Sequence, residues 1–363
     1  MSLPLHPVHG ALGATFALRS DLEIPLDYGD WRAEHGWVRQ SVGLLDCCDH
    51  GRLLGTGPDV RQVLQGVVTN EVKHLPTGAG CLAALLNDVG RARTLLEVLA
   101  TEDGYLIETP PGLAPASRDM IDYYIINEDA TIEDVTAVWG QLSLQGPNAR
   151  AVLASVVRPQ DLPPLDAAEH AHVVADLGGV PVRVVRRTRT GEDGYDVWAP
   201  TDRLDTAWSI LLDAVRRAGG GAVGVQAQEV LRVEASIPRY GDDIDDTVNP
   251  LEAGLTHAIS EHKGCYLGQE VIARITNLSK PARALVGLLP ARSVQPGDEV
   301  VMDGRVVGRV TSAVESPMLG RPIALGYLRT SLLDRGIHEV AVRSASGSES
   351  PATVHSAAFH RSP

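Results

Sequence analysis

Lys263 and Cys265, two residues apart, stand just ahead of a stretch that reads as a helix start, Gly268-Gln269-Glu270-Val271-Ile272-Ala273-Arg274-Ile275. A thiol at a helix N-terminus meets unpaired backbone N–H groups and the positive end of the helix dipole, and both favour thiolate. Lys263 adds a positive charge, so this stretch could present a reactive or ligand-like sulfur. A cysteine that fills space under a turn is the other reading of the same spacing. A second concentration of charge is Arg183 to Arg189, with four arginines in seven residues. It reads as a solvated loop face or as an anion-binding segment.

Gly/Pro punctuation defines the elements that must position these groups. Asp59 to Gln65 has a helical apolar period with Pro58 at its start, and Pro147 to Leu153 repeats the Gly-Pro-helix pattern. Cys81 to Leu86 reads as a buried strand, Asn87-Asp88-Val89-Gly90 as a turn and Arg93 to Ala100 as the return strand. Val180 to Arg187 and Gly194 to Ala199 read as strands, and Thr201 to Ala218 as an amphipathic helix ended by glycines. After Lys280-Pro281 short Val/Leu strands alternate with Gly/Pro/Asp turns, the pattern of a small antiparallel barrel. The expected divisions are 1–140 and 141–280, two α+β parts that interleave, a barrel over 281–345, and a frayed Ser/Ala-rich tail over 346–363.

Bulk composition narrows the function classes. At 363 residues the chain exceeds a single core, while 44% apolar and 21% charged residues describe an ordinary soluble protein. No apolar run approaches a membrane span, and the N-terminus lacks the basic and apolar regions of a secretory signal, so a cytoplasmic protein is expected. The four cysteines show no C-x-x-C or zinc spacing, so no bound metal is expected. A net charge of −14 opposes stable nucleic-acid binding. With no apolar stripe left over, the chain is expected to be a monomer.

The octapeptide Lys263-Gly264-Cys265-Tyr266-Leu267-Gly268-Gln269-Glu270 resembles the K-G-C-Y-x-G-Q-E signature of the YgfZ family. These are folate-binding relatives of the glycine-cleavage T-protein (aminomethyltransferase) that support iron–sulfur proteins. Similarity to the wider superfamily runs in order through Thr56-Gly57-Pro58-Asp59, Leu144-Gln145-Gly146-Pro147, Thr190 to Asp196, Leu231 to Ala235 and Pro250 to Leu255. The resemblance implies an α+β, three-domain ring with a central folate channel and a C-terminal antiparallel β-barrel. It implies tetrahydrofolate as ligand, with Asp196 taking the place of the carboxylate that anchors the pterin edge. Glu192 of the same loop, Gln228 (where relatives carry an arginine), Arg232 and His50 (where they carry a methionine) are further expected cofactor contacts. Arg232 and Glu234, two apart on a strand, would face one way and brace a domain junction.

By the same resemblance, Thr94 and Leu95 stand where T-proteins carry an acidic pair near the reacting folate nitrogen. Glycine cleavage is therefore not expected. The leading reading is a tetrahydrofolate-binding accessory factor for iron–sulfur cluster assembly or repair, with Cys265 and Lys263 meeting client proteins or assembly factors. The alternatives are a folate-dependent one-carbon transferase or demethylase, a tRNA-modification factor, and a non-catalytic interaction protein.

Overall fold

The computed structural model describes residues 2–278, 280–355 and 358–360. It divides into two compact units, each assembled from separated stretches of chain. The first comprises 1–85, 94–228 and 258–267; the second comprises 86–93, 229–257 and 268–363. The hairpin turn at 86–93 and the stretch 229–257 thus join the C-terminal residues. Among the described residues no helix is long and apolar enough to cross a membrane.

The first unit is built on two large sheets, beside the two-stranded pair Thr15–Arg19 and Leu22–Asp27. A six-stranded sheet runs His172–Leu177, Val180–Arg186, Gly194–Pro200, Trp139–Gln145, Gly43–Asp46 and Gly221–Val223, with only the last pair parallel. A five-stranded sheet runs Gly80–Leu86, Ala92–Ala100, Tyr105–Thr109, Gly51–Thr56 and Thr131–Asp134. One face of the larger sheet packs Leu44, Leu142, Leu144 and Val197 against Ala207, Trp208, Leu211 and Val215. Those four come from helix Leu204–Arg217, whose apolar stripe follows the helical period. The smaller sheet packs Leu53, Leu85, Val98 and Ile107 against Val63, Leu64 and Val67 of helix Val60–Val67.

Strands buried on both faces need a second set of inward residues. Leu99, Leu106, Val185 and Trp198 supply it, each from a different strand of the two sheets. Because side chains alternate along a strand, the residues two positions away, Glu97, Glu108, Arg187 and Asp196, lie on these same faces. The layer is therefore half apolar and half ionic, and the ionic half is the candidate site.

The second unit contains a closed barrel: Arg283–Pro290, Arg321–Arg329, Arg305–Ser316, Glu299–Met302, Glu339–Arg343 and Glu349–His355. Its interior holds Val286, Leu288, Val300, Val310, Ala324, Val342 and Val354. The last strand falls within the segment expected to fray. Glu349–His355 pairs with both Glu339–Arg343 and Arg283–Pro290, and its buried Ser350, Ala352 and Val354 alternate with exposed neighbours. Small side chains hid that alternation in a Ser/Ala-rich stretch. Arg232 and Glu234 also depart from expectation, for they sit on a helix, Val225–Glu234. There Arg232 pairs with Glu229 at i, i+3, one helical turn away.

The turn between Gly80–Leu86 and Ala92–Ala100 explains one signature glycine. Gly268 has φ +76, and a Cβ there would lie 2.5 Å from the Asn87 carbonyl oxygen. Only glycine fits both the left-handed backbone and this close approach. Helix Gln269–Leu278 begins immediately afterwards, where the sequence places it.

Candidate functional site

Glu97 and Glu108 are directly opposed in the ladder between Ala92–Ala100 and Tyr105–Thr109, as are Leu99 and Leu106. Like charges directly opposite in a sheet repel, so this pairing needs counter-charge. Arg187 and Arg189 provide it. Arg187 Nη2 lies 2.5 Å from Glu97, and Arg189 Nη2 donates to Glu108 at 2.8 Å. These are two of the four arginines read as a solvated loop face or an anion-binding segment. Arg189 is only 8% exposed, so for it the solvated reading fails. Beyond the strand ending at Arg186, positions 187 and 189 stay in step with inward-facing Val185.

Asp196 completes the cluster. It is 1% exposed on Gly194–Pro200 and receives Arg189 Nε at 3.1 and 3.2 Å and Nη2 at 2.7 Å. Gln141 on the adjacent strand donates its amide to Asp196 at 3.0 Å and to Glu108 at 2.6 Å. Its amide oxygen in turn accepts from buried Arg52 at 3.0 Å. His50 borders the group, with Nδ1 2.9 Å from Asp49 and Nε2 3.7 Å from Glu108.

Burial and charge set the protonation states. Burial alone would raise Glu97, but the Arg187 charge and the His170 ring, with Nε2 3.4 Å away, hold it well below the usual carboxylate range. Arg189 is raised well above its ordinary value, since Asp196 and Glu108 outweigh its desolvation. Burial pushes the Cys47 thiol well up against the opposing charge of Arg189, so it stays a neutral thiol. Glu97, Glu108 and Asp196 bring carboxylate oxygens within 4.8 Å of one another. Arg187 and Arg189 set two positive charges against these three carboxylates.

The other residues singled out from sequence fall elsewhere. Glu192 is buried and accepts from Arg39 Nη1 at 2.9 Å, which ties the loop to helix Trp31–Gln40. Gln228 is half-buried in the same helix as Arg232, its backbone N–H donating to Gly224. Arg232, in the second unit, is 3% exposed and donates to Asp243 at 2.5 Å and Ser312 at 2.6 Å. Cys265 is exposed. Lys263 donates to the Val68 and Asn70 carbonyls, the latter at 2.9 Å, and lies 5.0 Å from the Tyr266 ring centroid. Burial lowers it to about 8, and the neighbouring Glu71 charge opposes this. Sequence reasoning thus singled out Asp196 and His50 but missed Glu97, Glu108, Gln141 and the inward turn of Arg189. Apolar and charged residues at i, i+2 on three strands were the available signal.

The GCVT N-terminal domain family matches residues 5–263, and the glycine cleavage T-protein C-terminal barrel domain matches residues 283–360. The aminomethyltransferase of Streptomyces coelicolor is 30% identical over 98% of this chain and 96% of its own length. That of Symbiobacterium thermophilum is 33% identical over 99% and 97%. Among solved structures, the glycine cleavage system aminomethyltransferase T from Bartonella henselae superposes with a TM-score of 0.88 at 25% identity, covering 99% of this chain and 98% of that one.

Proposed function

Because the chain belongs to the glycine cleavage T-protein family, N-terminal domain and C-terminal barrel alike, we propose that it binds tetrahydrofolate and acts as a folate-dependent one-carbon transferase on a small amine. The observation that carries this reading is the buried carboxylate pair, Asp196 and Glu108, joined by the Gln141 amide. A pterin offers a 2-amino group and an N3–H along one edge, and buried carboxylates are the acceptors such donors require. Asp196, Glu108 and Gln141 would hold that edge, with His50 beside them. Bound folate would supply the nitrogen that carries the one-carbon unit; the protein's part is to orient it and exclude water.

Glycine cleavage itself fits poorly. Thr94 and Leu95 offer no carboxylate, and the buried Thr94 hydroxyl donates to the Leu95 carbonyl at 3.1 Å. Stabilising a developing iminium cation needs a carboxylate near the reacting nitrogen. A different amine donor is accordingly the substrate class, and the −14 charge disfavours a tRNA base.

The test is calorimetric titration of tetrahydrofolate into the wild type and Asp196→Asn. Micromolar binding lost in the variant supports the anchor; equal binding to both removes Asp196 from the site; no binding to either removes folate. One observation favours a second reading. Cys265 is exposed within the YgfZ-like octapeptide, as an accessory role toward iron–sulfur proteins would use it. Unchanged iron–sulfur enzyme activity in cells carrying Cys265→Ser would eliminate that role.

A further inference from the structure

Asp196 has little acceptor capacity to spare. Arg189 presents Nε–H and one Nη2–H to it along a single edge, at 3.1 and 2.7 Å, and Gln141 takes a further position at 3.0 Å. The edge Arg189 presents is that of a guanidine. A pterin's 2-amino-4-oxo ring contains the same unit, since its N3, C2 and 2-amino nitrogen form an acylguanidine with two parallel N–H donors. Residue and expected ligand therefore make the same request of the same carboxylate.

Three features set Arg189 apart from an ordinary structural ion pair. It lies beyond the strand that ends at Arg186, so its side chain can leave without breaking a ladder. Its backbone is fixed independently, because its N–H donates to Gln145 Oε1 at 2.8 Å. Its second carboxylate, Glu108 at 2.8 Å, belongs to a strand of the other sheet, so the guanidinium keeps an anion to hold once Asp196 is released.

We propose that Arg189 is a resident stand-in for the ligand's guanidine edge, and that ligand enters by exchange, the aminopyrimidinone edge replacing the guanidinium on Asp196. The natural ligand in this inference rests on the folate reading above; the exchange itself concerns only Arg189 and Asp196. The site selects molecules with two parallel N–H donors, and its affinity is reduced by the fraction of time Arg189 occupies the anchor.

Chemical rescue of Arg189→Ala tests the exchange. Melting temperature is followed with methylguanidinium chloride in the low millimolar range, against sodium chloride at equal ionic strength. 5-Formyltetrahydrofolate is then titrated into the wild type and the variant. Methylguanidinium should raise the variant's melting temperature beyond the salt control and leave the wild type unmoved. The folate should bind the variant roughly tenfold tighter than the wild type, and methylguanidinium should compete with it. No rescue, with equal folate affinity in both proteins, would overturn the exchange while leaving folate binding intact. Rescue without folate binding to either protein would support the exchange and overturn the folate reading. Should Arg189→Ala fail to fold, Arg189→Lys retains a cation but cannot span Asp196 with two donors. It should bind the folate several-fold tighter than the wild type, and an unchanged affinity would overturn the proposal.

Discussion

Two buried arginines, one in each unit, sit in opposite kinds of company. Arg232 is met by Asp243, Glu229 and the Ser312 hydroxyl. Asp243 is itself saturated by the Thr311 and Ser312 hydroxyls and the Arg239 N–H. Glu229 lies one turn away on the same helix, while Thr311 and Ser312 come from a distant strand of the same unit, so the group ties separated stretches of chain together, as a brace does. Around Arg189, two guanidinium groups face three carboxylates. The His50 imidazole lies 3.7 Å from one of those carboxylates. Arg232 and Arg239 also face three carboxylates, but Glu229 and Asp242 reach solvent. None of Glu97, Glu108 and Asp196 is more than 13% exposed, and excess carboxylate is costly to bury for its own sake. The contrast fits a brace around Arg232 and supports the ligand handling proposed for the Arg189 group.

Removing the brace should have the largest effect. Arg232→Met leaves Asp243 buried without its cation, and we expect a loss of about 3–5 kcal/mol in urea unfolding followed by circular dichroism. A loss below about 1 kcal/mol, the scale of a surface pair, would erase the distinction between the two groups. Next comes acid sensitivity, which should belong to the Arg189 group. Glu97 is depressed in the folded state by Arg187 and His170 against the cost of burial. Its folded protein binds fewer protons than the unfolded chain near its ordinary pKa. The stability it contributes is therefore present above about pH 4.5 and lost as pH falls below it. Glu97→Gln should flatten the acid limb of the stability–pH curve. An acid limb of unchanged slope in this variant would move the acid-labile group elsewhere.

These two clusters also mark where sequence reasoning stops. The hairpin Gly80–Leu86 to Ala92–Ala100, helix Leu204–Arg217 and most of the barrel follow from apolar period and turn chemistry, which are local. The final strand does not, because Ser350 and Ala352 carry too little hydrophobic contrast to register. Leu231-Arg232-Val233-Glu234 alternates like a strand, yet its apolar residues also suit the last turn of a helix. Asp196 was singled out only through the family resemblance of the Thr190-to-Asp196 loop. Its partner Glu108 was not, since 81 residues separate it from Arg189 and only the stacking of two sheets brings them together. The arginine run illustrates the same gap, because composition reports charge but not which way it points.

Asp196→Asn sharpens the contrast from the ligand side. Arg189 retains Glu108 in this variant, so stability should fall by only about 1 kcal/mol, the scale of one charge-assisted hydrogen bond. Folate affinity should fall at least about tenfold, because a neutral amide cannot accept two donors as a carboxylate does. A stability loss as large as that of Arg232→Met, with binding unchanged, would show the Arg189 group to be a second brace.

Lys263 supplies the smallest effect and a control on the physics, since burial should act on an ammonium as it cannot on a guanidinium. Arg187 and Arg189 are raised because paired carboxylates outweigh desolvation. Lys263 is held by two carbonyls, which are dipoles rather than charges, and burial lowers it to about 8. The chain has three lysines, Lys73, Lys263 and Lys280, so acetylation can be followed site by site by mass spectrometry as pH rises. Lys263 should reach half of its maximal intrinsic rate near pH 8, whereas a lysine at its model-peptide value does so near 10.4. Steric shielding lowers its plateau but does not shift that midpoint. If Lys263 instead titrates with the other two, the Val68 and Asn70 carbonyls hold its proton as firmly as the carboxylates hold those of the arginines. Charge pairing would then no longer be what separates the arginine clusters from the rest of the buried cations.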